Sequence, residues 1–214
     1  MSDTWTTVSS LVTGFGTLVL AVATFQAVRS ANKAARVAEQ ALLIGVRPLL
    51  VPSRLDDGAQ KVFYGDGKVE YIQGGRGVAE VDGGNVYLGI SIRNAGRGIA
   101  VLHGWRFRVG RQQMDGHPPL EDFHDHQRDI FVAPNDFGFW QAAFRDDSDP
   151  QYEEAMAAVR SLQMLTIDVL YGDYEGGQRA VSRFTLQPHP NPDSDTVWLA
   201  SVVRHWNIDR PDPR

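Results

Sequence analysis

With 214 residues, no cysteine and a net charge of −5 at pH 7, the chain excludes a disulfide framework, a thiol nucleophile and a Cys-type zinc site. The acidic balance also argues against the basic footprint of a nucleic-acid binder and disfavours acidic substrates. Hydrophobic residues make up 43% and charged residues 22%, as in ordinary globular proteins, and a mean hydropathy of −0.27 confines membrane character to part of the chain.

That part is the N-terminus. From Thr4 to Val28 no residue is charged, and about 25 helical residues exceed the roughly 30 Å hydrocarbon core of a bilayer. A secretory signal would place positive charge before the apolar run. Here Asp3 precedes it and Arg29, Lys33 and Arg36 follow, although Ala21-Val22-Ala23 has the look of a cleavage site. A buried core helix is the other alternative, because Ser9, Ser10, Thr13, Gly14, Gly16 and Thr17 dilute the apolarity. We read residues 1–28 as a single transmembrane anchor. The basic residues then place the C-terminal domain in the cytoplasm, with Trp5 as an interfacial ring on the far side. The absence of cysteine agrees with a reducing compartment.

Residues 29–46 contain good helix formers and no Pro or Gly before Gly45, so the helix is expected to continue about 20 Å past the membrane. Gly45 and Pro48 supply the stop. Ser10, Thr13, Thr17, Leu20, Thr24, Ala27, Ala31, Ala34, Ala38, Ala41 and Gly45 form a seam of mostly small side chains at spacings of three and four. Phe15, Leu18, Val22 and Phe25 lie on another face, suited to lipid. Small seams let helices approach closely in membranes, which makes homo-oligomerisation one reading. Compositional accident, or packing on the chain's own domain, is the other.

After Pro48 the pattern changes to short apolar runs between Gly, Asp and Asn. Strands are expected at Leu49–Val51, Lys61–Tyr64, Val69–Ile72, Val86–Arg93, Ile99–Val109, Ile130–Val132, Phe137–Phe144, Gln163–Tyr171, Arg179–Leu186 and Val197–Trp206. Gly65–Lys68 and Gly172–Gly177 read as hairpin turns. Ala200–Val203 within the last strand also suits a helix. One helix is expected at Pro150–Ser161, with Tyr152, Met156 and Val159 on one face. Regularly spaced short strands point to an antiparallel sandwich or barrel over residues 47–208, of about 165 residues. The Pro-rich stretch 209–214 is read as a disordered tail.

Asn94-Ala95-Gly96-Arg97-Gly98-Ile99-Ala100 resembles the N-x-G-x-G-x-A stretch of bacterial immunoglobulin-like sandwich domains, where it joins two strands. Local hydrogen bonding by Asn94 and positive φ at Gly96 and Gly98 would suit that role. The lone apolar helix, the Ala-rich charged extension and Arg47-Pro48-Leu49-Leu50-Val51 are similar to small uncharacterised bacterial single-pass membrane proteins carrying a cytoplasmic β-domain. The resemblance implies an architecture, an N-terminal transmembrane helix followed by an antiparallel immunoglobulin-like β-sandwich with one short helix. It implies no activity.

The metal candidates are His117, His124 and His126, with Glu121, Asp122, Asp125 and Asp129 nearby. Imidazole and carboxylate groups ligate zinc and other divalent ions, and an H-x-H pair on a strand would share one side. Gly116, Pro118 and Pro119 instead mark an exposed loop, where polar residues need no special reason. Asp168 within an apolar run invites a partner, or else lies on the solvent face of an alternating strand. Asp173 and Glu175 sit in a hairpin, and Asp146, Asp147 and Asp149 complement a helix start. Ser182 and Ser201 lack a triad context, and Gly74-Gly75-Arg76-Gly77 lacks the helix a phosphate cradle needs. Trp105, Trp140, Trp198 and Trp206 are expected in the core, with a ligand groove as the alternative. No catalytic residue and no cofactor is expected. The reading is a membrane-tethered, non-enzymatic interaction module. Its expected contacts are lipid, an unknown protein partner and further copies of the helix, not nucleic acid. The alternative is a metal-dependent hydrolase or small-ligand sensor using the His117–Asp129 loop.

Overall fold

The computed structural model describes residues 2–113, 116–189 and 196–212, with side chains omitted at 2–13, 40, 43, 44 and 127. The chain forms two compact units, Met1–Gly45 and Val46–Arg214. In the first, Ser2–Gly45 is one uninterrupted α-helix, α1. Its Gly14–Glu39 segment of 26 residues is long and apolar enough to cross a membrane. Phe15, Leu18, Val22 and Phe25 are exposed, as are the small residues from Thr17 to Ala41. The side chains of Trp5, Ser10 and Thr13 lie outside the described residues.

The second unit is mainly β. Its strands are β1 (Leu50–Pro52), β2 (Gln60–Phe63), β3 (Val69–Ile72), β4 (Arg76–Asp82), β5 (Asn85–Asn94), β6 (Ala100–Val109), β7 (His124–Val132), β8 (Phe137–Phe144), β9 (Leu165–Gly172), β10 (Arg179–His189) and β11 (Val197–Asn207). One further α-helix, α2, covers Tyr152–Arg160, and Leu120–Asp122 forms a 3₁₀ turn. Nine strands make one antiparallel sheet in the order β1-β5-β4-β11-β10-β9-β6-β7, with β8 also paired to β5. The join between β4 and β11 is narrow, Gly77 opposite Trp198 and Arg76 opposite Leu199. Among the described residues no ladder joins β7 to β8, so the sheet is not closed.

The expected alternation in β5 is present: Val86, Leu88, Ile90 and Ile92 are fully buried in the main core. Trp105 and Phe107 of β6, Trp140 and Phe144 of β8, and Ile167 and Val169 of β9 meet them there, with Ala155, Met156 and Val159 of α2. Each such large apolar side chain contributes about 1.5–3 kcal/mol by leaving water. The other face of β5 is covered by the β2–β3 hairpin, where Val62, Tyr64 and Ile72 pack on Tyr87. Gly89 permits this approach, since a Cβ there would stand 2.4 Å from Ile72 Cδ1. Strand β11 is extended through Ala200–Val203 rather than helical, because it pairs with β10 on both sides of a bulge at Val203.

Three expectations are corrected. Strand β4 was not anticipated. The residues from His124 form strand β7, not an exposed loop, and pair with Trp105 and Gly104 of β6. Gly96 and Gly98 are absent from the positive-φ residues. They are small because the chain passes close by: a Cβ would lie 2.3 Å from the Arg47 carbonyl oxygen at Gly96 and 1.7 Å from that of Val46 at Gly98. Asn94 does bond its local backbone. Its Oδ1 accepts from the Leu49 and Gly96 amides at 3.1 and 2.9 Å, and its Nδ2 donates to the Gly98 and Val132 carbonyls at 2.6 and 3.1 Å. At the other end, Arg47 donates to Asp209 at 2.7 Å and Asp212 accepts from the Asn207 amide at 2.8 Å. These bonds fall at the start of the segment read as a disordered tail, of which 213–214 lie outside the described residues.

Candidate functional site

Where β7 and β8 part company, a cleft of about 540 Å³ opens. The two strands meet near their connecting turn, where a Cβ on Gly138 would lie 3.3 Å from the Val132 side chain. Away from the turn they diverge, bridged by Arg128 Nη2 donating to Gln141 Oε1 at 2.7 Å. One wall is β7, with His124, Asp125 and His126; the other is β8, from Gln141 to Phe144. Trp105 and Phe144 supply an aromatic floor, their ring centroids 5.2 Å apart and edge to face.

Both histidines of the H-x-H pair line this cleft. His124 stacks on Trp105 with centroids 4.6 Å apart, and its Nε2 lies 3.0 Å from Gln151 Oε1. His126 is the less satisfied group: its Nε2 is buried without a hydrogen-bond partner. Burial, reinforced by His103 and Arg128 and opposed by Asp125, pulls the His126 imidazole down to about 4. Burial and Arg179 lower His103 in the same direction, against Asp129 and Asp173. His117 is not part of this wall. It is exposed, with Nδ1 2.8 Å from the Pro118 carbonyl oxygen. Asp122 is engaged elsewhere, 3.2 Å from Arg106 Nε and 3.5 Å from Arg108 Nη2. Among the described residues no group of three or more His, Asp or Glu is placed to share a metal ion.

Asp168 does not face solvent. It is 1% exposed on the sheet face away from the main core, opposite Arg106 on one side and Arg183 on the other. Arg183 holds it with two bonds, Nε to Oδ1 at 2.6 Å and Nη2 to Oδ2 at 2.8 Å, and Arg106 Nη1 reaches Oδ2 at 3.2 Å. Arg183 also lies over the Trp206 ring at 4.9 Å. Two arginines hold the buried carboxylate by three charge-assisted bonds, and this row is a structural tie between three strands.

Ser182 has a histidine after all, with His205 Nδ1 at 2.7 Å. The hydroxyl is fully buried, however, and also lies 2.9 Å from Tyr171 Oη and 3.2 Å from the Leu50 carbonyl oxygen. It lines neither the β7–β8 cleft nor the cleft beside Trp198, and the group anchors β1 to β9 and β10. Ser201 shares a 2.7 Å bond with Thr185. Asp146 accepts from Ser148 and Asp149 from the Gln151 amide, which shapes the turn ahead of α2. Gly74 and Gly75 lead into strand β4. The four tryptophans of the β unit are buried, though Trp105 borders the first cleft and Trp198 a second of about 490 Å³. That second cleft holds Glu70 and Glu80, both bonded by Lys68 Nζ at 3.1 and 3.0 Å. Burial raises the Glu70 carboxyl above its ordinary value, with Glu80 adding to the effect and Lys68 opposing it.

Comparison with known proteins finds no matching family model, no matching curated protein and no matching solved structure.

Proposed function

We propose that the chain is a membrane-tethered, non-enzymatic interaction module, with α1 as a single-pass anchor and the β unit on the cytoplasmic side. One observation carries the reading: a helix apolar enough to cross a bilayer shares the chain with a separately folded β unit that has an open cleft. Arg29, Lys33 and Arg36 after the apolar run support the cytoplasmic orientation. The small-residue seam supports association of the helix in the bilayer, which would raise the effective concentration of β units for a multivalent partner. The four bonds of Asn94 at the β5–β6 connection support an immunoglobulin-like reading of the domain.

A single fractionation series tests the tether. The full chain is expected in the membrane pellet after alkaline extraction, and a variant lacking residues 1–45 in the supernatant. A C-terminal reporter that is active only in the cytoplasm should be active. Full-length chain left in the supernatant overturns the anchor; an inactive reporter with the chain in the pellet overturns the orientation.

The second reading is a small-ligand sensor, favoured by His124 and His126 lining one cleft. Zinc titration of the wild type and of His124→Ala, followed by calorimetry, tests its metal-dependent form. Equal heats from the two proteins count against it.

A further inference from the structure

The bond pattern of β5 fixes which way the backbone of β8 faces. Asn94 donates its amide to the Asp136 carbonyl at 2.9 Å and accepts from the Asn135 amide at 2.9 Å, so its peptide groups point to the β8 side. Ser91 accepts from the Ser53 amide at 3.0 Å, on the β1 side. In a strand these directions alternate. Ile90 and Leu88 therefore face β8, and their register partners Trp140 and Ala142 face β5. The intervening Phe139, Gln141 and Ala143 direct their amides and carbonyls away from β5, into the gap toward β7. Phe137 obeys the same parity and its amide is already capped by Asp136 Oδ1 at 2.8 Å. No backbone bond beyond the β5 ladder satisfies Phe139, Gln141 or Ala143 among the described residues.

We propose that this outward edge of β8 is a strand-addition site: an extended peptide segment of a partner protein enters the cleft beside β7 and pairs its backbone with Gln141 and Ala143. The proposal rests on the interaction-module reading and names its partner class. Three features select a single extended segment as the occupant. The unmet groups are backbone donors and acceptors in strand register, whose complement is another backbone. The edge is recessed, with β7 walling its far side and Phe63 and Tyr64 of the hairpin at its rim, so a sheet edge from a second copy meets a wall where one chain fits. The floor of Trp105 and Phe144 gives an apolar seat for a side chain on one face of the segment. The mixed rim of Arg145, Asp146 and Asp149 carries no single-sign charge that would favour a nucleic acid.

The test uses the full chain in detergent micelles, immobilised and panned with random displayed peptides of about ten residues, the length of a long strand. Recovered peptides are remade synthetically and titrated against the wild type, Ala143→Pro and, as a control outside the cleft, the exposed turn variant Tyr174→Ala. Proline removes the outward amide and is tolerated at a strand edge, so Ala143→Pro is expected to bind about tenfold more weakly, while Tyr174→Ala stays within about twofold. Should Ala143→Pro unfold, as near-ultraviolet circular dichroism would show, the same peptides N-methylated at alternate residues are titrated against the wild type. Loss of binding on one methylation phase only supports strand pairing. The proposal is overturned by a selection that recovers no binder, or by peptides indifferent to both the proline and N-methylation. It is also overturned by a β8-dependent dimer that excludes peptide. Because the micelle assay does not depend on where the chain resides in cells, its failure is separable from failure of the tether.

Discussion

The Asp168 row and the β7–β8 cleft use similar side chains to opposite ends. In the row, arginine and aspartate are buried and pair with each other across three strands. In the cleft, two histidines and a strand edge lie beside open space, and the His126 Nε2 has no partner. The contrast separates charge that is consumed in holding strands together from hydrogen-bonding capacity left beside a cavity.

The comparison can be broken at either end. The largest effect is expected from Asp168→Ala, which takes the buried carboxylate from Arg183 and one of the two carboxylates from Arg106, and should cost about 3–5 kcal/mol in urea or guanidinium unfolding. A loss below about 1 kcal/mol would mean that the row is not the tie described. Next comes pH. The His126 imidazole sits at about 4 in the folded chain against 6.5 as its reference value, so below pH 6.5 the unfolded chain takes up the proton first. Stability is then full above pH 6.5 and declines as pH falls toward 4, by at most about 3 kcal/mol at 1.36 kcal/mol per pK unit. Denaturation midpoints at pH 7 and pH 4.5 should differ less in His126→Gln than in the wild type; an equal difference would remove His126 as the cause.

Gly98→Ala tests close approach against backbone conformation. A Cβ driven toward the Val46 carbonyl should cost about 1–3 kcal/mol by overpacking, read from the unfolding midpoint. A neutral result would return the position to ordinary loop status. The smallest effect is expected at Asp209→Ala, whose partly exposed pair with Arg47 is worth no more than about 1 kcal/mol, with a midpoint that falls little and a salt dependence that weakens.

Much of the fold was legible where side-chain period and burial coincide. The run Val86-Tyr87-Leu88-Gly89-Ile90 alternates cleanly because one face enters the main core. Strand β8 was found with its observed limits for the same reason. Strand β4 escaped because its apolar residues are few and Gly74-Gly75 and Gly83-Gly84 flank it, so turn chemistry drowned the alternation. The start of β7 escaped because His124-Asp125-His126 reads as solvated polarity; only pairing with Trp105 and Gly104 makes it a strand. Of the site, the histidines were visible as residue types and the cleft was not. Its other wall comes from β8, and a free strand edge leaves no mark in composition. The partners of Asp168 were hidden by distance along the chain, Arg106 lying 62 residues away and Arg183 15.

The bond between Arg47 and Asp209 joins the point where the chain enters the β unit to the point where it leaves. Entrance and exit thus share one doorway, and the polypeptide between them is a nearly closed ring. A short bridge from residue 212 to residue 46, with new ends cut at the exposed Tyr174–Gly177 turn, would preserve every ladder except the hairpin connection itself. A circular permutant made in this way would carry its cleft unaltered while presenting its termini on a different side.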